Sequence, residues 1–338
     1  MIIRQLYKKL PRTLQNRVSY LNTLAGFKPR VRPDNVSAER KFPDGFKGGV
    51  IFTGDFELAW AIVHSKLKAD PEAVAGRERE NMPKILSLLD QYQIPITWAT
   101  VGHLLLQSCK KGDHDWMKRL PHLDDHFQHL SGDWFDVDPY SSWDKATSWY
   151  APDIVQSILD SSVRHEIGCH TFSHVDCRDE FCPAAVLDDE LTACEQAAKP
   201  WGIEFKSLAF PAGTAGNFAV LKKHGIKIYR RRVSVFELAY PFRDEQGILV
   251  SPTGFGLGFL YQRRPLSDNI KRYHLAIDKA IKTNTISHFW FHPSADPEVF
   301  TGLLSGILEY CARKRDEGLL WVATMDSVQS FINENKVL

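Results

Sequence analysis

Short runs of β-branched and aromatic residues alternate with helical patterns along most of this chain, from residue 48 onward. This alternation is typical of repeated βα units arranged around a parallel sheet. We predict strands at residues 50–53, 96–101, 166–169, 207–210, 227–230, 248–251, 286–291 and 320–323. We predict helices between them at residues 82–92, 153–162, 184–199, 219–224, 267–282, 298–315 and 327–335. Seven or eight such units suggest a closed or nearly closed barrel.

The length of 338 residues, 43% of them hydrophobic, allows either one large α/β barrel or two ordinary domains. The alternation favours a single catalytic domain at residues 48–338, preceded by an arm at residues 1–47. The stretch at about residues 110–150 breaks the alternation, because it is rich in His, Asp and Trp and has no clear period. We interpret it as an insertion. Such loops often form lids or binding walls, although many are only surface excursions.

The N-terminal arm is strongly basic. Residues 1–47 contain 11 Lys and Arg but 3 Asp and Glu, a net charge of +8, so the remaining residues carry −7 within a whole-chain charge of +1. A nearly neutral chain argues against a nucleic-acid-binding protein. Apolar residues recur at helical spacing in the arm, interrupted by Pro11. The arm is therefore either an amphipathic segment on an anionic membrane surface or a helix packed on the barrel.

Several features favour a cytoplasmic location, with peripheral contact on the cytoplasmic membrane face as a further expectation. Arg4, Lys8 and Lys9 interrupt the N-terminal apolar stretch, which therefore does not resemble a signal peptide. Later apolar runs are shorter than the ~20 residues needed to cross a bilayer. The six cysteines form no CxxC pair, which fits reduced thiols.

Acidic and histidine side chains follow several of the predicted strands directly. Asp55 and Glu57 follow the first strand, His170 and His174 follow the third, and His292 follows the seventh. In (β/α) barrels, the loops after the carboxyl ends of the strands build the active site. Core histidines and solvated carboxylates would have no reason to gather at these ends. The sequence therefore predicts that these side chains share one site.

His170 and His174 have the spacing of a metal-ligand pair. Two histidines at i and i+4 share a face if the turn continues helically, and imidazole nitrogen binds zinc and neighbouring divalent metals. An ordinary hydrogen-bonding role is the alternative for both. Glu57 could be the acidic ligand or a solvated carboxylate, with Asp55 as the alternative ligand. For His292, the alternative to a place in the site is that it simply caps the end of its strand.

These segments resemble the motifs of polysaccharide deacetylases of the NodB-homology type, also called carbohydrate esterase family 4, over residues 48–335. The resemblance implies a distorted (β/α) barrel with an incomplete set of strands. It also implies a divalent metal, usually zinc, beside an acidic base and a histidine acid. The segments similar to the first, second, third and last motifs are, in order, Thr53-Gly54-Asp55-Phe56-Glu57, His170 to His174, Phe210-Pro211-Ala212-Gly213 and His292.

The resemblance also implies a role for each of these residues. Glu57, His170 and His174 would hold the metal ion. Asp55 would accept a proton from the attacking water, and His292 would protonate the departing nitrogen. A further contact to the oxyanion would come from the backbone amides of Phe210, Pro211, Ala212 and Gly213.

The chain departs from the family pattern at two points. Many members have adjacent aspartates in the first motif, whereas Phe56 separates Asp55 from Glu57 here. Residues i and i+2 of an extended segment still point to the same side. The third motif commonly begins with an arginine that orients the base, and this chain has none there. Arg230 or Arg231, from the next strand end, could substitute for it.

The leading hypothesis is a metal-dependent hydrolase that removes an N-acyl group, foremost acetyl, from an amino sugar. The substrate partner would be a surface polysaccharide, its lipid-linked precursor or a related glycan. One alternative is a deformylase or cyclic-amide hydrolase on the same fold. Another is a catalytically inactive carbohydrate-binding protein, which the absent third-motif arginine favours. The oligomeric state is left open.

Overall fold

A computed structural model describes residues 42–338, except for residues 68, 121–132, 234–236 and 258–264. Before residue 42 it describes only Leu14 and the short strand Arg30–Val31. The predicted basic arm at residues 1–47 therefore lies almost entirely outside the described residues. Its packing and its contact with a membrane stay predictions.

Eight parallel strands form the main sheet, and each lies where the sequence predicts one. They are β1 (Gly48–Phe56), β2 (Thr97–Thr100), β3 (Glu166–Cys169), β4 (Ser207–Ala209), β5 (Ile228–Arg232), β6 (Leu249–Thr253), β7 (Ile286–Phe291) and β8 (Leu320–Ala323). Two short strands extend the sheet: Phe242–Arg243 runs antiparallel to β6, and Phe255–Gly256 runs parallel to β7.

Hydrogen-bonded neighbours follow the order β7, β1, β2, β3, β4, β5 and β6. The long strand β1 pairs with β7 along one edge. On its other edge, the first half of β1 pairs with β8 and the last residues pair with β2. Because these strands are parallel, their carboxyl ends open on the same side of the sheet. The residues that follow them can therefore meet there.

Side chains join β6 to β7, since these two strands are not hydrogen-bonded neighbours in the described sheet. The buried His288 of β7 places its Nδ1 2.8 Å from Ser251 Oγ of β6. Thr253 Oγ1 of β6 donates to the His288 carbonyl oxygen at 2.6 Å. The predicted distorted (β/α) barrel is confirmed. Between β6 and β7, however, no backbone hydrogen bonds of the described sheet close the barrel.

Helices lie between the strands, and each overlaps a predicted helix except the short α1, which the sequence analysis did not predict. They are α1 (Trp60–Val63), α2 (Pro71–Tyr92), α3 (Pro152–Leu159), α4 (Ala184–Ala198), α5 (Phe218–Lys223), α6 (Leu266–Thr283), α7 (Ser305–Asp316, after the π-helical turn Val299–Leu304) and α8 (Met325–Glu334). Among the described residues, none of these helices combines the length and apolarity needed to cross a bilayer.

One predicted boundary is wrong, because α2 begins at Pro71 rather than at residue 82. The Asp70 side chain accepts a hydrogen bond from the Glu72 amide, which caps the helix at its true start. Pro71 occupies the first turn, where its missing N–H costs nothing. The helix then continues through Pro83.

Gly54 allows the end of β1 to pack closely against its neighbours. A Cβ atom at this position would lie 2.6 Å from the Trp98 ring and 3.2 Å from the Phe291 ring. Both rings are buried in the core. A side chain at position 54 would push these strands apart beside Asp55, so glycine helps to fix the position of the site.

Candidate active site

A cavity of about 590 Å³ opens at the carboxyl ends of the strands. Asp55 and Glu57 line it from the end of β1. Both side chains thus point to the same side, as expected for residues i and i+2 of an extended segment. His174, after β3, and His292, after β7, line it as well. Arg230, on β5, completes the charged part of the wall. The structure thus brings residues from four separate strand ends together.

The carboxylate of Glu57 lies against both histidines of the predicted ligand pair. Its Oε1 is 2.8 Å from His170 Nε2 and 3.1 Å from His174 Nε2. The other ring nitrogen of His170, Nδ1, is 2.7 Å from the Ala209 carbonyl oxygen. A neutral imidazole has only one N–H, so His170 cannot donate to both oxygens. A cation held by Glu57, His170 and His174 would resolve this conflict, and the donor set suits zinc.

Burial and charge set the protonation states of these groups. Burial alone would raise the pKa of Glu57, but His174, His292 and the hydrogen bonds with His170 and His174 hold that pKa well below its usual range. Burial lowers the pKa of His174. An ionised carboxylate and a neutral imidazole are the forms that bind a metal ion.

The turn from His170 to His174 is irregular rather than helical. Thr171 has a φ of 59° and His174 a φ of 61°, both in the left-handed region. Such values are rare for a β-branched residue, and strained backbone is often found at functional sites. The two ring centroids lie 5.2 Å apart. The i, i+4 spacing therefore identified the right pair of histidines. The rings are brought together by this irregular turn and not by a shared helix face.

Two buried glutamates that the sequence did not reveal hold the ligand-bearing backbone. Glu78 of α2 accepts hydrogen bonds from the amides of Glu57 and Leu58 at 3.0 and 3.3 Å. Glu190 of α4 accepts two hydrogen bonds, of 2.8 and 2.9 Å, from amides of the turn between His170 and His174. The available signal in the sequence was the position of each glutamate on the apolar face of its helix, because a buried acidic side chain almost always has a partner.

Arg230 provides the arginine that the third motif lacks. Its Nη1 donates to Asp55 Oδ1 at 2.5 Å, and its Nη2 donates to Asp55 Oδ2 at 2.7 Å. Nη1 also lies 2.8 Å from Thr53 Oγ1. Arg231, the alternative left open by the sequence, is exposed. The structure therefore places Arg230 at the carboxylate.

His292 stands at the open side of the cavity, with its side chain 45% exposed. Its Nε2 is 3.9 Å from Asp55 Oδ2 and 3.8 Å from Glu57 Oε2, beyond hydrogen-bond distance. The ring therefore faces both carboxylates across a gap. Asp55, Glu57 and His292 also lie close enough together to hold a metal ion, so Asp55 stays the alternative acidic ligand.

The segment after β4 forms a short 3-10 turn, Pro211–Gly213, in which Ala212 has a φ of 51°. Phe210, Ala212 and Gly213 line the cavity. The expectation that all four residues offer amides to an oxyanion needs correction. Pro211 has no amide hydrogen, and the Gly213 amide donates to the Phe210 carbonyl oxygen at 3.0 Å.

Residues 71–229 match the family model described as polysaccharide deacetylase. The chain carries a polysaccharide deacetylase domain. This places it among hydrolases that act on carbon–nitrogen bonds other than peptide bonds. The matched segment includes His170 and His174, whereas Asp55 and Glu57 precede it and His292 follows it. No curated protein sequence matches the chain significantly.

Solved structures share the fold of this polysaccharide deacetylase domain. A protein from Mycobacterium smegmatis assigned as a polysaccharide deacetylase has a TM-score of 0.62 and 14% identity, covering 89% of this chain and 96% of its own. A similarly assigned protein from Pseudomonas aeruginosa PAO1 has a TM-score of 0.62 at 10% identity, with the same coverage. The allantoinase Puue has a TM-score of 0.61 at 11% identity, covering 89% and 95%. The fold alone therefore does not separate their substrates.

Proposed function

We propose that the chain is a metal-dependent deacylase, which removes an N-acyl group, foremost acetyl, from an amino sugar of a surface polysaccharide or its lipid-linked precursor. Glu57, His170 and His174 would hold the metal ion, foremost zinc. The observation that carries the proposal is that Glu57 belongs to two groups of close donors, one with His170 and His174 and one with Asp55 and His292. Amide hydrolysis needs an activated water, a stabilised oxyanion and a proton for the departing nitrogen.

Each side chain of the cavity has a distinct task in this proposal. A bound metal ion would lower the pKa of water and polarise the amide carbonyl. Asp55 accepts a proton from the attacking water, while Arg230 fixes the orientation of its carboxylate. His292 donates a proton to the departing nitrogen. Its exposure to solvent allows the ring to be protonated again after each turnover.

The cavity wall suits an amino sugar. Its volume of about 590 Å³ falls in the range of small-molecule pockets. Trp290 lines the cavity, and aromatic side chains can pack against the apolar part of a sugar ring. Arg77 and Arg232 also line it, and the Arg232 guanidinium lies 5.6 Å from the Trp290 ring centre. Guanidinium groups bind phosphate oxygens well, which favours a precursor with a phosphate-linked carrier.

The test is the release of free amine by the purified full-length protein. From N-acetylated amino sugars, presented as oligosaccharides and as lipid-phosphate-linked sugars, we expect amine and acetate in equal amounts. A chelator should stop the release and added zinc should restore it. Preferred turnover of an N-formylated amino sugar or a cyclic amide would support the alternative hydrolases. Absence of turnover on all three classes would support an inactive carbohydrate-binding protein.

We expect Arg230→Lys to lower kcat by about 10-fold or more, with the metal content unchanged. Lysine keeps the positive charge but cannot form the two parallel hydrogen bonds that Arg230 donates to Asp55. Steady-state amine release measures the effect. Arg231→Lys, on the exposed neighbour in the same strand, is the matched control and should keep wild-type turnover. Equal kcat values for both variants would remove Arg230 from the mechanism.

A cytoplasmic location, with the basic arm at residues 1–47 on the membrane face, is a separate proposal. It is supported by the net charge of +8 on that arm. If the arm binds the membrane, the full-length chain should float with anionic vesicles and residues 48–338 should not. Equal behaviour of the two would contradict this proposal.

A further inference from the structure

A second group of metal-ligating side chains lies apart from the catalytic cavity. It consists of His103, just after β2, with Cys109, His114 and Asp138 from the chain that follows. Their donor atoms all lie within 4.8 Å of one another. All four residues are buried, with exposed fractions of 0%, 5%, 6% and 3% in that order. This group belongs to none of the family motifs.

The distances within this group fit a shared ion. Asp138 Oδ2 lies 3.0 Å from His103 Nε2, 2.9 Å from Cys109 Sγ and 3.6 Å from His114 Nε2. Cys109 Sγ lies 3.8 Å from His103 Nε2. Ligand atoms bound tetrahedrally to one zinc ion at about 2.0–2.3 Å are separated by roughly 3.3–3.6 Å from each other. The observed separations lie around these values.

Hydrogen bonding within the protein does not satisfy the two imidazoles. His103 Nδ1 is 3.3 Å from the Trp149 carbonyl oxygen, and its Nε2 is 3.0 Å from Asp138 Oδ2. A neutral ring has one N–H, so one of these nitrogen–oxygen contacts has no proton. His114 Nε2 is buried and makes no hydrogen bond within the described part of the chain. A cation between these atoms would satisfy both rings.

The surroundings of the group resemble those of a structural metal site. Tyr150 Oη donates to Asp138 Oδ1 at 2.6 Å, which fixes the carboxylate with Oδ2 toward the other donors. One thiolate, two imidazoles and one carboxylate complete a four-coordinate sphere for zinc. A sphere filled by protein ligands leaves no open position for a substrate.

We propose that His103, Cys109, His114 and Asp138 bind a second, structural zinc ion. This ion links the end of β2 to both described parts of the predicted insertion at about residues 110–150. It is independent of the proposed catalytic function, because it shares no ligand with the catalytic cavity.

The second site also lies directly behind the catalytic turn. Phe172, between His170 and His174, packs on the rings of His103 and His114 with centroid distances of 5.3 and 5.2 Å. The His103 amide donates to the Phe172 carbonyl oxygen at 3.0 Å. A zinc ion here would therefore help to hold the turn that presents the catalytic histidines.

Metal content and cobalt absorption of the full-length protein test this proposal. We expect two zinc ions per chain in the wild type and one in the His170→Ala, His174→Ala double variant. After exchange into cobalt, we expect a thiolate-to-cobalt charge-transfer band in both proteins, since the catalytic cavity contains no cysteine ligand. Cys109→Ser should lose the band. Cys311→Ser, at another buried free cysteine, should keep it.

The wild-type spectrum is informative even if Cys109→Ser does not fold. Absence of the charge-transfer band from cobalt-loaded wild type would overturn the proposal and leave a metal-free hydrogen-bond network. A zinc content of one that falls to zero in the His170→Ala, His174→Ala variant would also overturn it. A failure of the proposed catalytic function alone would leave the band in place.

Discussion

Asp55→Asn is expected to lower kcat for amine release by about 10²-fold or more while the protein keeps its metal. The magnitude is the usual contribution of a general base. Asparagine is nearly isosteric with aspartate, but its amide cannot accept a proton from water, and its nitrogen would face one branch of the Arg230 guanidinium. The metal is retained because Glu57, His170 and His174 are unchanged. Steady-state kinetics and metal analysis of the same preparation measure both quantities.

Asp153→Asn is a matched control for this substitution. Asp153 also receives two hydrogen bonds from one guanidinium, that of Arg79, at 2.8 and 3.2 Å. It does not line the catalytic cavity. Wild-type kcat is expected for this control. Loss of the catalytic metal from Asp55→Asn would contradict the assignment and make Asp55 the acidic ligand.

Replacing both His170 and His174 by alanine is expected to reduce amine release to the background rate and to remove one metal ion per chain. Only Glu57 would remain of the three donors, and a single carboxylate rarely holds zinc in place. Metal analysis and the amine assay should change together. Thermal unfolding of the variant, monitored in parallel, shows whether the barrel is still folded.

His224→Ala is the control for the histidine substitutions. His224 follows α5 and contacts Asp188 and Glu195 at 2.8 Å, outside the catalytic cavity. Its metal content and turnover should match those of the wild type. If the double His170→Ala, His174→Ala variant kept full turnover, the proposed metal-dependent mechanism would be wrong.

The sequence predicted the barrel and most of the cavity because both depend on local pattern. Alternating strand and helix periods set the order of the units, and parallel strands bring their carboxyl ends together. Asp55, Glu57 and His292 could be found because they follow the predicted strands at residues 50–53 and 286–291. Locating α2 correctly needed the Asp70 cap, which lies upstream of the helical pattern used to place it.

The remaining features depend on contacts between distant parts of the chain. Arg230 could be separated from Arg231 only by its position opposite Asp55 across the barrel. Glu78 and Glu190 act through backbone amides, which carry no residue-specific signal. The turn that presents His170 and His174 depends on left-handed backbone at positions where sequence patterns favour other conformations.

The central claim is that Glu57, His170 and His174 together hold a catalytic metal ion beside Asp55. The most direct measurement is anomalous diffraction at the zinc absorption edge from crystals of the full-length protein grown with zinc. We predict a peak in the cavity within about 2.0–2.3 Å of both histidine Nε2 atoms and a Glu57 oxygen. A cavity peak bound by Asp55 and His292 instead, or an empty cavity at saturating zinc, would contradict the claim.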